Sequence, residues 1–199
     1  AMKDFPWFKK YPDVVAKEIT LYEYNSLVEL LEKSCARYSG KVAFESMGVR
    51  LTYSEVDRLA GNFAAYLQQD LGLKKGERIA IQMPNVLQFP IAFFGALKAG
   101  LIVVNTNPLY TPREMEHQVR DAEISAIVIV ANFAHNLERV AFLPSIQHVI
   151  VTELGDMLGG LKGALVNFVV KRIKKMVPAY SLPQALSFKD ALRKGASLK

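Results

Sequence analysis

The stretch Gly155–Gly163, GDMLGGLKG, is where this chain comes nearest to a phosphate-binding loop. Such a loop cradles phosphates with backbone N–H groups freed by glycine and reaches them with a lysine placed directly after the second glycine of the motif. Gly155 and Gly160 have the right gap, but Leu161 stands where the lysine belongs. A dinucleotide fingerprint needs clustered glycines straight after a strand, and none follows any strand-like segment. Hydrolytic chemistry has no better anchor. There is no G-x-S-x-G elbow, and His117, His135 and His148 fall in separate predicted elements without metal-ligand spacing. The residues therefore offer no catalytic, cofactor-binding or metal-ligating candidate. Met83, Met115, Met157 and Met176 read as core or face-filling side chains.

Two other stretches could do work. Asn105–Val119, NTNPLYTPREMEHQV, follows the apolar run Leu101–Val104. Thr111, Pro112 and Glu114 are three helix-start signals at once: a hydroxyl cap, a proline at the first helical position, and a carboxylate that reaches back to the cap amide. A loop leaving the carboxyl end of a strand is also where ligands bind in open α/β sheets; the simpler reading is a well-made strand-to-helix connection. The second stretch is Leu161–Val177, LKGALVNFVVKRIKKMV. At helical period, Leu161, Leu165, Val169, Ile173 and Met176 gather on one side, and Asn167, Lys171, Lys174 and Lys175 on the other. Arg172 intrudes on the apolar side but can snorkel outward. Lys171, Arg172, Lys174 and Lys175 are the candidate contacts to an anionic membrane; the competing reading is a surface helix packed on the protein. Nucleic acid is not expected, because interleaved aromatics for base stacking are missing.

The elements around these stretches alternate. Residues 1–25, carrying Pro6, Trp7, Phe8, Tyr11, Pro12, Tyr22 and Tyr24, read as an extended arm. Ser26 caps a helix that Gly40 stops, Met47-Gly48 turns a small hairpin, and a second helix runs from about Ser54 to Leu71-Gly72. Then come a strand over Arg78–Met83, a helix ending at Gly100 with Pro90 near its start, and a strand over Leu101–Val104. A helix from Pro112 to about Ala122 precedes a strand over Ala126–Val130. Asn132 is expected to cap a short helix to about Val140, and His148–Val151 is read as the last strand. Strands alternating with helices predict βαβ units and a mostly parallel sheet with flanking helices. The expected division is an arm over 1–25, an α/β subdomain over 26–155, and a basic amphipathic helix with a C-terminal tail over 156–199.

The 199 residues are 51% hydrophobic and 22% charged, an ordinary globular balance. The single cysteine, Cys35, forms no intramolecular disulfide, which suits a reducing, cytoplasmic setting. No apolar run reaches transmembrane length. The charge is uneven: nine Lys or Arg against Asp190 alone give +8 between Leu161 and Lys199, so the net +6 of the chain leaves −2 for the rest.

In this order and spacing, Leu51-Thr52-Tyr53, Lys75-Gly76-Glu77-Arg78, Met83-Pro84-Asn85, Leu97-Lys98-Ala99-Gly100 and Asn107-Pro108-Leu109-Tyr110-Thr111 resemble the acyl-adenylate-forming enzymes. Within them the chain looks like a bacterial long-chain fatty acid–CoA ligase, from about Tyr22 to Leu192. The resemblance implies the N-terminal subdomain of an enzyme that joins a fatty carboxylate to AMP and then passes the acyl group to CoA. ATP, Mg²⁺ and CoA would serve the full-length enzyme, with none expected to bind tightly to these residues. The family's lysine-bearing phosphate loop and its nucleotide contacts have no counterpart here, so the chain is expected to be inactive alone. Its expected partners are the remainder of the same polypeptide, the fatty acid, an anionic membrane surface at the inner face of the cell membrane, and a second copy of itself. The alternative from another class is a stand-alone α/β membrane-docking module.

Overall fold

The computed structural model describes residues 5–18 and 23–198. Tyr22 of the expected arm and Lys199 of the basic tail lie outside the described residues. Pro6–Lys10 form one 3₁₀ turn, in which Phe5 stacks on Trp7 at 4.5 Å and Phe8 meets Tyr11 edge-on at 5.5 Å.

Helix α1 (Leu27–Arg37) starts where Ser26 Oγ accepts from the Glu29 N–H at 3.0 Å. Strands β1 (Val42–Ser46) and β2 (Val49–Thr52) pair antiparallel around Met47-Gly48. Both turn residues have positive φ, 51° and 71°, the geometry that matches the twist of a two-residue hairpin. Helix α2 (Tyr53–Ala65) opens on a full capping box between Thr52 and Glu55 and widens into a π turn at Tyr66–Asp70.

The main sheet contains β3 (Arg78–Gln82), β4 (Ile102–Asn105), β5 (Ile124–Val130), β6 (His148–Thr152) and β7 (Leu186–Ser187). Its order is β4-β3-β5-β6-β7 and every pairing is parallel. Connecting them are α3 (Gln88–Lys98), α4 (Pro112–Asp121), α5 (Ala134–Glu138) and α6 (Gly160–Phe168), with α7 (Phe188–Ala196) after β7. Pro90 is the third residue of α3, in the first turn where N–H groups have no intrahelical partner.

Period-two alternation sorts the core into two layers. Ile79, Ile81, Ala126, Val128, Val130 and Ile150 face one way, among Phe63, Leu67, Ile91, Phe188 and Leu192 of α2, its π turn, α3 and α7. Ala80, Ile127, Ile129 and Val149 face the other way, among Met115, Val119 and Leu137 of α4 and α5. Both faces of β5 are buried, which is why AIVIV is continuously apolar rather than alternating. The expected α/β fold, a mostly parallel sheet with flanking helices, is the one observed.

Three expectations change. Asn132 does not cap a helix: Ala131–Phe133 form a 3₁₀ turn, Phe133 precedes α5, and Asn132 Nδ2 donates to the Met176 carbonyl at 3.1 Å. β6 is not the last strand, because β7 adds at its edge. β7 is two residues long, too short to show a period, and the helix after it reads as part of a basic tail. Met176 is exposed, unlike the buried Met83 and Met115.

Candidate functional site

The chain leaves β3 to one side to make β4, then returns across β3 to make β5 on its other side. The reversal opens a crevice outside the carboxyl ends of β3 and β5, the usual ligand position in open α/β sheets. The loop after β4 is tied down along this edge. Thr106 N–H donates to Ile81 O at 3.0 Å, and Gln82 Nε2, fully buried, donates to Asn107 O at 3.1 Å. Asn107 Oδ1 accepts from Leu109 N–H at 3.0 Å, an Asx turn, and Asn136 Nδ2 holds the Tyr110 carbonyl at 3.3 Å. Thr111 and Glu114 then close a capping box, with Thr111 N–H to Glu114 Oε2 at 2.8 Å. Every polar group of the loop named here is spent on fixing the loop itself. Gln82 Oε1 and Asn132 Oδ1 are buried acceptors without a protein donor at this edge.

A cleft of about 910 Å³ lies at the carboxyl ends of β6 and β7 beneath α6. GDMLGGLKG forms its wall, and the glycines serve packing. Gly155 and Gly163 lie so close that a Cβ on either would collide with the other's carbonyl. Asn167 stitches the turn: its Oδ1 accepts from Gly155 N–H at 2.7 Å, and its Nδ2 donates to Asp156 Oδ1 at 3.3 Å. Asp156 Oδ2 accepts from the Thr152 hydroxyl at 2.9 Å and from Glu153 N–H at 2.8 Å. Gln88 Nε2, reaching from α3, donates to Glu153 O at 2.8 Å. Burial, and then the Glu153 carboxylate, raise the Tyr180 phenol above its ordinary pKa. Leu161, at the position a phosphate-binding lysine would take, points into solvent. These residues do not fit a triphosphate cradle, and among the described residues no three His, Cys, Asp or Glu side chains converge as a metal shell. The polar network of Thr152, Asp156 and Asn167 was not singled out from the sequence; the signal was Thr152 and Asp156 just beyond an apolar strand.

The four basic candidates sit on the π turn Val169–Ile173 that continues α6 and on the residues that follow. All four are exposed. Lys171 is paired with Glu153 at 3.6 Å, whereas Arg172, Lys174 and Lys175 make no ion pair among the described residues. The helix meets the body through Gly163, Val166, Asn167 and Val170, while Leu161, Leu165 and Ile173 of the predicted apolar side are exposed. The structure therefore brings the basic residues together and sets most of the apolar side away from the protein, with Val169 alone of that side half-buried. His117, His135 and His148 stay apart on α4, α5 and β6. No helix among the described residues is long and apolar enough to cross a membrane.

Comparison with known proteins is consistent with this architecture. The chain is 56% identical over 189 residues to the long-chain-fatty-acid–CoA ligase of Escherichia coli O157:H7, covering 95% of this chain and 34% of that protein. The protein of the same name from Bacillus subtilis (strain 168) is 35% identical over 167 residues, covering 84% of this chain and 30% of its own length. The chain thus spans about a third of the length of the curated relatives it matches. Among solved structures, the anthranilate CoA ligase AuaEII in complex with anthranoyl-AMP superposes with a TM-score of 0.68 at 23% identity, over 87% of this chain and 29% of that one. At that identity the likeness is one of fold. These similarities give no support to a stand-alone membrane-docking module. The family model described as AMP-binding enzyme matches residues 31–182, through the parallel sheet, the capped loop and the α6 cleft, and the chain belongs to that family.

Proposed function

We propose that this chain is the N-terminal part of a long-chain fatty acid–CoA ligase. The observation that carries the reading is 56% identity, across 95% of the chain, to a protein of that name. In the reaction, a fatty carboxylate attacks ATP to give acyl-AMP and pyrophosphate, and the CoA thiol then displaces AMP to give acyl-CoA. The residues described here contribute no phosphate cradle to it. Their part is the rigid half of a scaffold, with the carboxyl edge of the sheet turned toward the rest of the polypeptide. ATP, Mg²⁺ and CoA would be held mainly by that remainder. The division into an arm over 1–25, an α/β subdomain over 26–155 and a basic tail over 156–199 belongs to the same proposal, as do a cytoplasmic location, a second copy as partner, and peripheral contact with an anionic membrane through Lys171, Arg172, Lys174 and Lys175.

The test is a polypeptide that extends this chain to the length of its relatives. Palmitate, ATP·Mg²⁺ and CoA should give equal amounts of AMP and palmitoyl-CoA with that polypeptide, and no product with residues 1–199 alone. Release of pyrophosphate that does not depend on the fatty acid would contradict the assignment.

A further inference from the structure

We infer that the outward face of α6 and its π turn is an insertion surface for an anionic bilayer, with named apolar side chains entering the lipid; this rests on the peripheral-membrane reading above and specifies its contact face. Leu161, Leu165, Phe168 and Ile173 are 92%, 63%, 57% and 62% exposed. Single exposed apolar residues are ordinary, but here three of them fall on successive turns of one helix. The inward side of the helix is taken by the Gly155–Gly163 crossing and the Asn167 bonds, and among the described residues none covers these four side chains. Lys175, with φ of 51°, ends the helical stretch and turns the chain away, so the face stands as a bounded ridge.

The charge around the ridge selects the occupant. No Asp or Glu occurs between Met157 and Lys189, whereas Arg172, Lys174 and Lys175 are exposed at the ridge's end and make no ion pair among the described residues. A protein groove that took this ridge would need acidic residues matched one by one to those cations. An anionic headgroup layer supplies the same complement without register, while its acyl boundary takes the four apolar side chains. Leu165 and Phe168 would enter deepest, and the cations would stay among the phosphates on their extended stems.

The experiment uses the 199-residue chain and vesicles of phosphatidylcholine with or without phosphatidylglycerol. Co-sedimentation should show binding to the mixed vesicles and little to the neutral ones. In a Trp7→Phe background, which removes the sole tryptophan, emission from a Phe168→Trp probe should shift to the blue on binding. Leu165→Glu with Phe168→Glu should abolish binding while leaving the thermal transition unchanged, because neither side chain is part of the core. Arg172→Gln, Lys174→Gln and Lys175→Gln together should weaken it roughly a hundredfold at low salt. Vesicle binding that survives the glutamate variants would keep the membrane reading and overturn this face. Absence of any vesicle binding would overturn both. Conversion of a dimer to a monomer by the glutamate variants, with vesicle binding intact, would make the ridge a contact between copies. A Phe168→Trp probe that is already blue-shifted and indifferent to vesicles in a polypeptide of the relatives' length would mean that the rest of the chain covers it. Either result would overturn the inference.

Discussion

Thr52 and Thr111 perform one task at two helix starts, each donating its backbone N–H to a glutamate three residues on and accepting that residue's N–H on its hydroxyl. The bonds favour the ionised carboxylate. The Thr52 amide and hydroxyl hold Glu55 below the usual carboxylate range, and the Thr111 hydroxyl and amide do the same for Glu114. At α1 the Lys33 ammonium and then Asn25 bring Glu29 down to about 2. With folded-state values depressed, this stabilisation is complete above the ordinary glutamate pKa and is lost as pH falls through the lowered ones. Glu55→Gln should therefore melt below the wild type at pH 7 and converge with it in acid, as followed by circular dichroism. Thr52→Ala should cost about 1 kcal/mol in urea unfolding at neutral pH. Lys98 shows the opposite sign. Burial disfavours its ammonium, but Asp57 at 2.9 Å and Glu32 at 3.0 Å outweigh that and raise its pKa. Its contribution is present below the ordinary lysine value and is lost as pH rises through the raised one. Lys98→Met should lose about 1 kcal/mol at pH 7, modest because both carboxylates remain partly in solvent.

Among the elements, α6 depends most on one contact. Gly163→Ala should cost about 2 kcal/mol, since its methyl group meets the Gly155 carbonyl with no flexible side chain to yield. Asn167→Ala should cost about 1 kcal/mol by freeing the Gly155 amide; thermal unfolding monitored by calorimetry would check both. Most elements were legible in the sequence where capping chemistry and period coincide: Ser26 and Thr111 each stand three residues before a glutamate and ahead of an apolar face, whereas the Thr52 cap escapes that reading, which starts its helix at about Ser54. Others were not, for physical reasons. β7 is too short for a period to show, and its place is set by pairing with Ile150 and Val151 far along the chain. Asn132 has the chemistry of a cap but is drawn to the Met176 carbonyl by a long-range contact. The apolar stripe of α6 was visible, but its direction was not: a helical wheel cannot say which side a Gly155–Gly163 crossing will claim. The site was less legible than the fold, because Thr152, Asp156 and Asn167 form one network only after the chain has turned back on itself.

At the scale of the whole chain, the five-stranded sheet, its crevice and its two core layers form one continuous frame, while a phosphate cradle is not among the arrangements the described residues make. In the family, nucleotide chemistry would then depend on residues carried by the rest of the relatives' length. The apolar side chains left exposed away from α6, Leu109 and Phe142 among them, favour self-association of this chain at high concentration. Light scattering behind size-exclusion chromatography should show a mass that rises with concentration, and a constant monomer mass would refute it. The most direct measurement is isothermal titration of ATP·Mg²⁺, and separately of a non-hydrolysable fatty acyl-AMP analogue, into residues 1–199. No saturable heat from either is expected, because the glycines of Gly155–Gly163 are spent on packing. Saturable binding of either would mean that this chain holds a substantial share of the nucleotide site, and would contradict its assignment as scaffold.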